Sequence, residues 1–248
     1  MSFPELPFLP IVVFAAALLV LAWLSGEQAM EVQRFVYNLT GSIDHAIIVY
    51  FLLFLPGIIV HEAAHWVVAW ILGLKPGEFR VWPVRKGNVV GLGSVTTRRG
   101  GPVRDSLVGI APLLAGTLFI GLLSRYWLSA IPIEAVIASN DLALWGDAFR
   151  RAFASPDALL WAYLIFAIAN GMMPSKPDRE PFGPVFIYLV IAALVWFGIG
   201  LPITILSDVV SALHTPLLWL NVSLLIVIAL DIAAIAILLA ANAVTARR

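Results

Sequence analysis

Six long, charge-poor apolar runs constrain this chain more than any other feature. They extend from Leu6 to Leu24, Ala46 to Leu74, Leu107 to Leu123, Ala158 to Met173, Val185 to Leu206 and Pro216 to Ala241. A helix needs about 20 apolar residues to cross a hydrocarbon core roughly 30 Å thick, so these runs are read as membrane spans. The fourth is short. The second, about 43 Å at 1.5 Å per residue, is too long to cross upright and must tilt, kink at Pro56–Gly57 or project beyond the lipid. Composition agrees: 61% of the residues are hydrophobic, 12% are charged, and the mean hydropathy is +0.98. A water-soluble chain cannot clothe its surface with that mixture. The expected fold is an all-α integral membrane protein. It has six transmembrane helices in one polytopic domain over residues 1–248, with a core at about 46–178 and flanking helices at 6–24, 185–206 and 216–241.

Charge and cysteine usage remove several functions. The 15 basic and 15 acidic residues cancel, so no global field draws the chain to nucleic acid. With no cysteine there is no disulfide, thiolate nucleophile or sulfur-ligated metal, and any metal must sit on His, Asp or Glu. Lysine and arginine favour the cytoplasmic side, and the loop from Lys75 to Asp105 holds seven of the 15. Lys176, Arg179, Arg247 and Arg248 join them if all six runs cross, which predicts both termini in the cytoplasm of a cell membrane. The first run has no basic region before it and no clear cleavage site, so it reads as a retained helix.

Two connections carry patterns of their own. Glu78–Val84 and Val89–Thr97 are β-prone runs joined by Arg85-Lys86-Gly87-Asn88, which predicts a small cytoplasmic-side β-hairpin after the second span. Asn140-Asp141 can cap a helix whose apolar positions Leu142, Trp145, Phe149 and Phe153 recur near helical spacing, as in a helix lying in the membrane interface. Val32, Val36 and Leu39 hint at a weaker interfacial helix between the first two spans.

Polar residues inside a span are costly and ask for a reason. Glu62 and Asp231 are the only acids well inside apolar runs, and His61 and His65 flank Glu62. In His61-Glu62-Ala63-Ala64-His65 the histidines stand at i and i+4 on one helical face, the spacing that lets two imidazoles share a Zn²⁺ ion. Glu62 is turned about 100° from His61 and reaches a water on that ion, as the general base of a metallopeptidase does. The competing reading makes the three residues interhelical hydrogen-bonding groups. A third ligand is needed to leave one tetrahedral position for water, and no further intramembrane histidine exists, so it should be a carboxylate. Asp178 is the best placed, because Pro174, Ser175 and Pro177 break the chain beside the cytoplasmic face; Glu180 and Asp231 are the alternatives. Asn170, the one side-chain amide of the fourth run, is placed either to hydrogen-bond an oxyanion or substrate or to pack helices.

On these residues the chain resembles the site-2 protease family of intramembrane zinc metalloproteases. His61-Glu62-Ala63-Ala64-His65 lies inside a span; Asn170, eight residues before Asp178, matches the Asn and Asp of the family's Asn-x-x-Pro-x-x-x-x-Asp-Gly motif; and Gly109-Ile110-Ala111-Pro112-Leu113 is similar to its Gly-Pro helix. The chain departs from that pattern at Met173, where the motif's proline stands one place later at Pro174, at Arg179 in place of glycine, and at Ala111 and Ala115. No stretch is long enough for a PDZ-like or nucleotide-sensing domain. The resemblance implies one zinc ion held by His61, His65 and Asp178, with Glu62 as base. It also implies membrane-anchored substrates already trimmed by another protease: single-span regulators cleaved in or next to their helix. The rival readings are non-proteolytic: a transporter or metal carrier, or an inactive homologue that binds membrane helices without cutting them.

Overall fold

The computed structural model describes residues 9–86, 89–91, 93–129, 131, 135–136, 139, 141–200 and 204–246. The chain is mostly helical and membrane-embedded in character. In order, its elements are α1 (Leu9–Thr40), α2 (Ile43–Leu53), α3 (Leu55–Ile71), strands β1 (Phe79–Arg80), β2 (Val84–Lys86), β3 (Val89–Gly91) and β4 (Ser94–Val95), then α4 (Pro102–Trp127), α5 (Leu142–Ala152), α6 (Ala158–Gly171), α7 (Lys176–Arg179), α8 (Phe182–Gly198) and α9 (Thr204–Thr245). Helices α1 and α4, the stretch Lys176–Gly198 and the Ser211–Thr245 part of α9 are each long and apolar enough to cross a membrane. The α2–α3 pair makes a fifth if it counts as one span. At 14 residues α6 is shorter, about 21 Å by helical rise. Outward faces are apolar, with Leu19 74% and Leu159 75% exposed, as lipid contact requires.

Two boundaries differ from the sequence reading in ways that matter for packing. Helix α1 does not stop near Leu24 but continues to Thr40, ending at Gly41, whose φ of +66° suits a glycine after a helix. Val32 and Val36 are thus buried in the same helix, not in a separate interfacial one. The long second run breaks at Phe54, with a 77° bend between α2 and α3. Pro56 sits in the first turn of α3, where its missing N–H costs nothing. Ser42 caps α2 by accepting from the His45 amide at 3.3 Å.

Contacts fix the relative directions. α1 and α9 lie side by side and parallel: the Asn221 amide donates to the Pro10 carbonyl at 2.9 Å, Asn242 to Glu31 at 2.7 Å, and Asn38 to Thr245 at 3.3 Å. α4 leads away from its start beside α3 to an end where Ser223 donates to Ser124 and Trp127 Nε1 donates to the Ala152 carbonyl. α6 returns, from Trp161 against Tyr126 to Met172 against Gly116. α9 runs the same way as α6, from Ser223 at the far end to Asp231 beside Asn170. α1, parallel to it, finishes toward the end where α3 also finishes. Six alternating crossings would set the first and last helices antiparallel, so this packing does not fit that scheme.

The chain after α3 folds back on it. Trp66 Nε1 donates to the Gly77 carbonyl at 3.2 Å, the Arg98 amide donates to Leu74, and Phe51 meets Trp82 edge-on. β1 pairs antiparallel with β4, in register Phe79↔Val95, and β2 with β3, in register Arg85↔Val90. Arg85 and Lys86, expected in the turn, belong to β2 instead, and Gly87 and Asn88, the rest of that expected turn, lie outside the described residues. At the far end α5 is capped by Asp141, which accepts from the Ala143 amide at 2.8 Å. On its exposed face Arg150 and Arg151 flank Asp147 and hold that carboxyl below its ordinary range.

Candidate metal centre

α3 brings His61 and His65 to one face, one turn apart. Gly57, a turn earlier, lets α3 and α6 touch backbone to backbone: a Cβ there would strike the Ala167 carbonyl, and one on Gly171 would lie 2.7 Å from the Gly57 backbone. That contact sets the Gly171 carbonyl 2.8 Å from His61 Nδ1. On the other side the Val108 carbonyl, from α4, stands 2.8 Å from His65 Nδ1. A carbonyl oxygen only accepts, so each Nδ1 carries the proton and each Nε2 offers a lone pair. Ligand histidines are oriented in this way by backbone carbonyls.

The two Nε2 atoms are 3.1 Å apart. Asp178 completes the group, with Oδ1 3.1 Å from His65 Nε2 and Oδ2 3.6 Å from His61 Nε2. Its position comes from α7, a single turn opened by Ser175. Asp178 Oδ2 accepts from the Ser175 amide at 2.8 Å and from its hydroxyl, closing a capping box. Asp178 therefore closes the α7 turn with the same carboxylate that meets the two imidazoles. Gly109 makes room for it, since a Cβ there would strike the Asp178 carbonyl.

This donor set could hold a divalent metal ion. Two imine nitrogens and a carboxylate, with ligand atoms all within 4.8 Å of one another, gather lone pairs that repel unless a cation stands between them. A proton relieves one contact at a time; a divalent ion relieves all three. A tetrahedral site with bonds of about 2.0 Å spaces neighbouring ligand atoms about 3.3 Å apart; the two Nε2 atoms here are 3.1 Å apart, and one atom from each of the three residues lies within 4.8 Å of the others. The group is half-buried on the His61 and Asp178 sides and buried at His65.

Glu62 lies beside the group, against Gly93, where a Cβ would come within 2.6 Å of Glu62 Cγ and 2.8 Å of its Oε1. Beside His65 and Asp178 opens a cavity of about 720 Å³, walled by Val95, Thr97 and Arg99 from the extended chain and by Asp105 and Glu180 across from it. Comparison with protein-family models, with curated proteins and with solved structures finds no match to this chain.

The remaining expected residues sit elsewhere. Asn170 is buried among three helices: it donates to Asp231 Oδ1 at 3.0 Å and to the Phe166 carbonyl at 3.1 Å, and it accepts from Ser25 Oγ at 2.7 Å. Both amide hydrogens are committed, so neither points at an oxyanion. Its bonds are those of helix packing. Glu180 reaches the cavity wall and Asp231 joins Asn170; neither belongs to the His61, His65 and Asp178 group. Sequence reasoning missed Gly93. A glycine within a β-prone run was the available signal, because it marks a place where another group comes close.

Proposed function

We propose that this chain is a zinc metallopeptidase that hydrolyses a peptide bond in or next to the transmembrane helix of a membrane-anchored substrate. The observation that carries the reading is the convergence of His61 Nε2, His65 Nε2 and the Asp178 carboxylate beside Glu62. The spacing His61-Glu62-Ala63-Ala64-His65 and its resemblance to site-2 proteases support it.

A bound zinc ion supplies Lewis acidity, bringing the ionisation of water near neutral pH and polarising a carbonyl. The protein does the rest. His61 and His65 are locked in the ligating tautomer by the Gly171 and Val108 carbonyls. Glu62 takes the proton that leaves the attacking water and returns it to the departing amine nitrogen, so hydroxyl ends on the carbonyl carbon and hydrogen on nitrogen. A helical substrate hides its amides in internal hydrogen bonds and must unwind before one carbonyl is presented. The extended chain at Val95, Thr97 and Arg99 offers an edge along which an unwound segment exchanges helical for intermolecular hydrogen bonds.

The test is cleavage by purified protein in liposomes carrying a single-span substrate. The expected result is a cut within or beside the span that a chelator stops and added zinc restores. Cleavage that survives metal removal, or none from zinc-loaded protein, sinks the reading.

The membrane arrangement follows from parallel α1 and α9, which call for an odd number of crossings. The bent α2–α3 pair then enters and leaves on the metal-centre side, which carries the basic Lys75–Asp105 loop and faces the cytoplasm. Termini are on opposite sides in this arrangement. Because the chain has no cysteine, single replacements report it directly. Ser2→Cys and Ser155→Cys are expected to react with an impermeant maleimide from outside, and Thr97→Cys and Ala246→Cys only after permeabilisation. Ser2→Cys behaving like Ala246→Cys would restore the six-crossing scheme.

A further inference from the structure

Three buried side-chain oxygens lack a hydrogen-bond partner among the described residues: Gln28 Oε1, Asn221 Oδ1 and Asp231 Oδ2. All three lie on α1 or α9. Asp231 is the acid among them and is fully buried, in a setting where an ionisable side chain is expensive and normally tied to function. With Oδ2 unengaged, its one described polar contact is Oδ1 accepting from Asn170 at 3.0 Å. Asn170 is thereby held from three directions: by α9 through Asp231, by α1 through Ser25, and by its own helix through Phe166.

What that side chain fixes is the last turn of α6. The next residue, Gly171, ends the helix and supplies the carbonyl that accepts from His61 Nδ1 at 2.8 Å. The same turn rests on Gly57 with no side chain between the backbones, one turn before His61. A displacement of the α6 end therefore moves the His61 ring with nothing to absorb it.

We propose that Asp231 is a positioning residue for the metal centre, acting through Asn170 and the Gly171 carbonyl to set the ring of His61. This rests on the metal-centre reading above. Oriented ligands bind more tightly, and loss of such an outer support typically weakens a metal site by about 10–100-fold.

The experiment compares the parent protein with Asp231→Leu, Asp231→Asn and Asn242→Leu, all purified whole in detergent. The readouts are zinc affinity by chelator competition and the visible spectrum of the Co²⁺-substituted site. Asp231→Leu is expected to weaken zinc about 10–100-fold and to change the cobalt bands. Asp231→Asn keeps an acceptor oxygen toward Asn170 and is expected to restore both. Asn242→Leu breaks the contact to Glu31 elsewhere in the α1–α9 seam, and is expected to lower thermal stability while leaving the cobalt bands in place. Should Asp231→Leu fail to fold, Asn170→Ala cuts the same relay one step nearer the metal and is expected to move the bands likewise. Parent-like affinity and spectrum in both cutting variants overturn the proposal, as does an equal spectral change in Asn242→Leu. A parent protein that takes up neither metal overturns the metal-centre reading itself, and the proposal with it.

Discussion

Replacing Glu62 with glutamine is expected to lower peptide hydrolysis by about 10²–10⁴-fold while the protein keeps its zinc. The amide has the shape of the carboxylate and fits equally well against Gly93, so folding and the approach of the extended chain are preserved. It has no basic oxygen to take a proton from water, and that transfer is the role proposed for Glu62. The histidines keep their carbonyl partners and the carboxylate of Asp178, so metal content per chain should match the parent. Rates measured on a single-span substrate, set beside elemental analysis of the same samples, read both halves. An unimpaired rate would remove Glu62 from the chemistry; loss of zinc would make it a ligand instead.

Substituting Asp178 is expected to weaken zinc by more than the roughly 10–100-fold that accompanies loss of an outer support, because a direct ligand disappears and two imidazoles are left to hold the ion. Two variants separate ligation from local folding. Asp178→Ala removes both the ligand and the acceptor for Ser175, and so also loosens the single turn of α7. Asp178→Asn retains an oxygen for the Ser175 amide but replaces the anionic ligand with a neutral one. Both should lose zinc, with Asp178→Asn closer to the parent in thermal stability. Competition against a chromophoric chelator gives the affinities. Parent-like binding in either variant would mean that the third ligand is another residue, with Glu180 across the cavity the first to test.

Local regularities carried most of what was legible in the amino-acid order. Apolar runs of span length marked the helices because lipid forces backbone groups to bond within their own segment. The i and i+4 histidines were readable because one turn of helix places them together whatever surrounds it. Asp178 was within reach because proline and serine announce a break in the chain, which is where a carboxylate can turn toward another helix. Less was readable where the partner is remote. Glu31 looks like a loop residue after an apolar run, and its burial in α1 comes with Asn242 of α9, 211 positions away. The same remoteness hid the parallel course of the two helices. Asn170 was open between two uses, and only the Ser25 and Asp231 side chains on other helices commit its amide. Of the options open to the long second run it bends, and at Phe54 instead of Pro56–Gly57, because proline at the start of a helix continues it smoothly and glycine there serves the crossing with α6.

That crossing also limits how the molecule can breathe. Gly57 and Gly171 leave no side chain to slide or re-pack, so the segment with both imidazoles and the segment leading to the carboxylate behave as one rigid block. Widening a passage by prying these two apart would pull the two imidazoles away from Asp178. Any motion that widens the cavity must then hinge elsewhere, and α8, which has no buried side chain among its described residues, is a lightly anchored wall beside it.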